Sequence, residues 1–92
     1  MTDEGLPSLK NLVNLKYLNL EGTKITDGGL ANLEPLKKLQ TLSLASTPIT
    51  DAGIEHLKGL SELKELELNF TQTTPEGQAK LQAALPGLKI TN

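Results

Sequence analysis

The sequence predicts one α/β domain, a solenoid with a parallel β-sheet on one face and short helices on the other. Two observations carry that expectation. A 24-residue unit, LQTLSLASTPITDAGIEHLKGLSE at residues 39–62, has near-copies at 15–38 and from Leu63 onward. Within every copy, a leucine spacing of period two gives way to a helix start and an apolar stripe at helical spacing. The expected division is a half repeat at 1–14, repeats at 15–38, 39–62 and 63–84, and a closing C-terminal strand at 85–92, all in a single domain over 1–92.

Each copy opens with Leu-x-x-Leu-x-Leu. Leu18 and Leu20, Leu42 and Leu44, and Leu66 and Leu68 sit two apart, which sends each pair to one face of a short strand. Leu85, Leu88 and Ile90 suggest a fourth strand in the tail. Near-identical units leave parallel stacking as the natural arrangement.

The second half of each copy reads as a short helix. Thr26, Thr50 and Thr74 take the N-cap position, where a hydroxyl accepts from an orphan backbone N–H for about 1 kcal/mol. Asp27 and Asp51 follow in the first turn, favouring the positive end of the helix dipole. Pro75 takes that place in the last copy, at the helical position proline suits best. Ile25 with Leu30, and Ile49 with Ile54, have the spacing of a hydrophobic staple, and Pro35 and Gly59 stop the helices. Gly5, Gly29, Gly53 and Gly77 recur three residues after the cap, read as places where a side chain would strike the next coil. One unit cannot bury both its faces, so it must stack on its neighbours.

With its LxxLxLxxTxITDxGLxxL repeats the chain resembles a leucine-rich repeat protein over essentially its whole length, and the repeat form is similar to the short repeats of many bacterial leucine-rich proteins and to the F-box-associated repeats of eukaryotic ubiquitin ligases. The resemblance implies a short right-handed horseshoe segment with its sheet on the concave face. It departs from the family at Thr23, Thr47 and Thr71, which stand where many members have Asn or Cys; these threonines read as a structural ladder. Ligands commonly dock on the concave sheet in the family, so the resemblance implies a protein-binding module that uses the outward strand residues. Those are Tyr17, Asn19 and Glu21, then Thr41, Ser43 and Ala45, then Glu65, Glu67 and Asn69, with Phe70 at the sheet rim. The expected columns run Tyr17–Thr41–Glu65, Asn19–Ser43–Glu67–Lys89 and Glu21–Ala45–Asn69–Thr91. Tyr17 and Phe70 are the foremost anchors, because large aromatics contribute to interfaces out of proportion to their number.

Composition narrows the alternatives. Nine lysines against eleven acidic residues give a net charge of -2, with no basic footprint for nucleic acid or an anionic membrane. No segment reads as a membrane span or a leader. One histidine and no cysteine leave a zinc site without its usual ligands, and no cofactor is expected. Glu65 and Glu67 have carboxylate spacing without a pocket or a perturbing neighbour, so the chain does not read as an enzyme. His56 aligns with polar helix positions and reads as a solvated residue.

The two ends differ. Thr73 and Gln78 replace the apolar staple pair, and residues 74–92 are expected to cap the solenoid with a polar outer surface. At the other end Pro7 falls at an interior helix position, and nothing obvious covers the Leu15–Leu20 strand edge. The chain is therefore expected to be the C-terminal part of a longer repeat protein, or else a structural or self-associating segment that pairs as a homodimer through that edge. Substrate recognition within a larger enzyme is a further alternative. The partner's identity and the cellular compartment are not encoded in these residues.

Overall fold

Four three-residue strands carry the period-two leucines: β1 at Tyr17–Asn19, β2 at Thr41–Ser43, β3 at Glu65–Glu67 and β4 at Lys89–Thr91. The computed structural model describes residues 2–92. The strands form one parallel sheet in the order β1-β2-β3-β4, with Leu18 opposite Leu42, Leu42 opposite Leu66 and Leu66 opposite Ile90. The α/β solenoid predicted from the repeat is thus the fold observed. Glu65 pairs with Lys89 and Glu67 with Thr91, so the expected Glu67–Lys89 column is two residues out of register. The fourth strand keeps the same 24-residue step as the others.

Behind the sheet lies a wholly aliphatic core. Leu30, Leu33, Leu36, Leu39, Leu42 and Leu44 are fully buried, as are Ile49, Leu57 and Leu60. The staple pairs Ile25–Leu30 and Ile49–Ile54 belong to this core. In the last coil the polar replacements bond to each other, Gln78 Nε2 donating to Thr73 Oγ1 at 3.0 Å.

The helical side is tighter than expected. Residues Asp27–Leu33 form a 3₁₀ helix, and the next coil has only one α turn, α1 at Asp51–Ile54, before it tightens to 3₁₀ over Glu55–Leu57. A 3₁₀ helix rises about 2.0 Å per residue against 1.5 Å for an α-helix, so it covers more distance with few residues. The full α-helix is α2, Pro75–Ala84, where alanine, glutamine and lysine supply good helix formers. Pro7 lies in the first turn of the 3₁₀ helix Leu6–Leu9. Its missing N–H is therefore no loss there, contrary to the interior position expected for it.

The inter-coil bonding differs most from expectation. Thr26, Thr50 and Thr74 all stand at the N-cap. Thr50 Oγ1 accepts the Ala52 N–H and Thr74 Oγ1 the Gly77 N–H as expected, while Thr26 makes no such bond. All three hydroxyls also donate to an aspartate of the preceding coil. Asp27 Oδ1 accepts the Thr50 N–H at 2.7 Å while its Oδ2 accepts the Thr50 hydroxyl at 2.5 Å. Asp51 grips Thr74 with the same two distances, 2.7 and 2.5 Å. Asp3 does the same to Thr26 through both oxygens. These aspartates thus fasten one coil to the next and do more than favour a helix dipole.

The recurrent glycines complete the arrangement. A Cβ on Gly53 would lie 2.4 Å from Asp27 Oδ1, and one on Gly77 would lie 2.1 Å from Asp51 Oδ1. Gly29 has the same relation to Asp3. Glycine is needed to let the carboxylate in, and the obstacle belongs to the preceding coil, not the following one. The second ladder matches its expectation: Thr23, Thr47 and Thr71 hydroxyls donate to the Leu20, Leu44 and Leu68 carbonyls at 2.7, 2.7 and 2.8 Å.

Candidate functional site

Alternation along three-residue strands puts leucine inward and the intervening residues on the opposite, open face. Tyr17, Asn19 and Glu21 are exposed there, as are Glu65 and Glu67, while Thr41 and Asn69 are half-buried. The middle coil behaves differently, because its small side chains sink between their neighbours: Ser43 and Ala45 are each only 5 % exposed. Tyr17 and Asn19 on one side and Glu67 on the other thus flank a shallow depression of ≈ 260 Å³, floored by Thr41, Ser43 and the edge of Leu18. Ser43 Oγ, deep in that floor, has no hydrogen-bond partner among the described residues.

Phe70 stands apart from the depression, in the turn after β3. It is 87 % exposed, so it does not fold back under its loop. Its φ is +59°, in the left-handed region, and the equivalent turn residues are Gly22 at +74° and Ser46 at +58°. A bulky side chain in that conformation is rare and strained. Tyr17 is the other exposed aromatic, at 68 %.

The charges on this surface are unpaired with one another. The ion pairs among the described residues are Glu34–His56 and Glu55–Lys58, both on the helical side. His56 Nδ1 lies 2.6 Å from Glu34 Oε2 of the preceding coil, so this histidine is a coil-to-coil partner and not simply a solvated residue. Among the described residues no group of three His, Asp or Glu side chains gathers as metal ligands would. No helix there is long and apolar enough to cross a membrane.

Two surface features escaped the sequence reading. Leu12 and Val13 are about half exposed, at 48 and 50 %. A recess of ≈ 570 Å³ opens where Ser61–Lys64 meets Ala84–Gly87. The recess depends on how α2 ends, which no spacing reports.

The comparisons with known proteins agree with this geometry. The chain superimposes on an internalin, inlF, of Listeria monocytogenes with a TM-score of 0.79 at 26 % identity, over 94 % of this chain and 24 % of that one. A second Listeria monocytogenes internalin, inlC2, gives 0.63 at 29 % identity, over 100 % of this chain and 46 % of that one. Actin-binding site 2 of leiomodin-1 shares the fold at 21 % identity with a TM-score of 0.74, over 99 % of this chain and 63 % of that one. This chain therefore spans from about a quarter to under two thirds of the length of these relatives. No curated protein matches it in sequence. The family model described as "Leucine Rich repeat" matches residues 11–33 and 36–58, together half of the chain. On that match, and on the parallel coils that bear it out, the chain belongs to the leucine-rich repeat family.

Proposed function

We propose that this protein recognises another protein on its open sheet face, with Tyr17 and Phe70 as anchors and the Asn19, Glu65 and Glu67 side chains setting polarity. Leucine-rich repeats are in general protein-interaction modules. The observation that carries the assignment to this face is Phe70: an aromatic held exposed in a strained turn contributes nothing visible to the fold. Strain kept at an exposed residue supports a functional reading. Tyr17 and Glu67 flank the depression floored by Ser43, which has room for a partner's small side chain but not for an enclosed substrate. The leiomodin segment supports the reading only in that a solenoid of similar fold serves as an actin-binding site.

The test is capture from a lysate of the source organism with the wild-type chain, a Tyr17→Ala/Phe70→Ala double variant, and a Lys80→Ala variant on α2 as a control. Proteins held by the wild type and the control but lost from the double variant are the expected result, with circular dichroism unchanged. Retention of the same proteins by the double variant would remove this face from consideration. Removing both anchors should weaken binding by at least tenfold, since hot-spot aromatics each contribute about 2 kcal/mol or more.

A further inference from the structure

The N-terminal edge carries half of a bonding pattern whose complete form is seen three times in the same molecule. At each junction an aspartate of one coil receives the N–H and hydroxyl of a threonine in the next. It does so over a glycine that leaves room for it: Asp3 with Thr26 and Gly29, Asp27 with Thr50 and Gly53, Asp51 with Thr74 and Gly77. Thr2 and Gly5 repeat the receiving half at the same spacing. Thr2 shares one local bond with the Thr50 junction, its Oγ1 accepting the Glu4 N–H at 3.3 Å as Thr50 Oγ1 accepts the Ala52 N–H at 3.3 Å.

The apolar surface around this half-pattern is open too. Leu12 is 48 % exposed, whereas its equivalents Leu36 and Leu60 are both at 0 %. Leu9, Leu15 and Leu18 are half-buried, and their equivalents in the next two coils are fully or almost fully covered. Along the sheet, Gln40 and Thr41 both donate to the Lys16 carbonyl, and Lys64 and Glu65 both donate to the Gln40 carbonyl. The corresponding amides of Lys16 and Tyr17 lie on the open side of β1.

We propose that this edge is a keyed docking surface for a leucine-rich coil that presents an aspartate to Thr2 and Gly5. The carboxylate requirement separates this occupant from a second copy of the chain. A copy stacked head to tail would bring its last coil, where Pro75 stands in the aspartate's place. A copy related by a two-fold axis would set one Thr2–Gly5 receiver against another, and the aspartate inside that receiver, Asp3, is already taken up by Thr26. Apolar burial alone would accept either; the threonine–glycine receiver accepts neither.

The chain's own sequence supplies the probe. Residues 15–38 followed by 15–25, joined directly in front of Thr2, place a copy of Asp27 at the distance from Thr2 that Asp27 has from Thr50. The urea midpoint of this extended protein is compared with that of the same extension carrying alanine at the copied aspartate, each also with Gly5→Ala. The aspartate extension should have the higher midpoint, and Gly5→Ala should erase the difference. Amide exchange at Thr2 should slow only with the aspartate present and Gly5 intact. Equal midpoints for the two extensions, or a difference that survives Gly5→Ala, overturn the proposal. So does a concentration-dependent dimer of the unextended chain that light scattering shows to be lost on Leu12→Glu, because the edge would then accept a copy whose junction aspartates are all engaged already.

Discussion

Asp51 shows how a single side chain acquires a role that its neighbours in sequence do not reveal. Its carboxyl is held below its ordinary value of 3.8, first by the Thr74 hydroxyl and then by the Thr74 N–H. Both donors favour the ionised form, so the grip is present above that value and is lost as pH falls through the depressed one. Asp51→Asn should therefore lower the urea midpoint at neutral pH, and the variant should lose less stability than the wild type on acidification below 3.8. Denaturation followed across that range checks both. Phe70 makes the opposite case, a residue that costs stability. Replacing it with glycine, which Gly22 already is at the equivalent turn, should raise stability by about 1 kcal/mol while weakening partner capture. A Phe70→Gly protein less stable than the wild type would mean that the ring has a structural role after all.

At the scale of the coil, the leucine phase was legible because period two and helical spacing are local patterns that repeat. Leu18, Leu42 and Leu66 do line up behind neighbouring strands. The aspartate grip was not legible, since a Thr-Asp pair at a helix start already has a sufficient local explanation in capping and dipole effects. The clue lies in the glycine recurring at fixed phase, whose need for space the spacing shows without naming the carboxylate that fills it. The tightening of two helices to 3₁₀ was hidden for a related reason: it depends on the distance a coil must span, which its neighbours set. Position within the stack also sets the cost of a cavity. Leu42→Ala, fully buried between two coils, should cost about 2–5 kcal/mol. Leu18→Ala, half-buried on β1, should cost less than half as much by the same urea titration.

For the whole molecule, a stack of 30 × 24 × 17 Å is held by links between adjacent levels, so its stability is close to a sum over junctions. The placement of the outward residues was readable from alternation, and the comparisons bear out the family and the fold. The sinking of Ser43 into a floor was not readable, because it depends on the larger side chains of Asn19 and Glu67 that flank it across the sheet. Repeating residues 39–62 in frame should insert one further strand between β2 and β3 and raise the urea midpoint, with both threonine ladders continued through the new level. Loss of cooperative unfolding in that variant would contradict the additive picture.

Because Asp27, Thr50 and Gly53 meet across a junction and not within one coil, the portable module of this protein has no natural first residue. A segment lifted from any starting point delivers the same set of fasteners, provided that it is one period long and ends before Pro75.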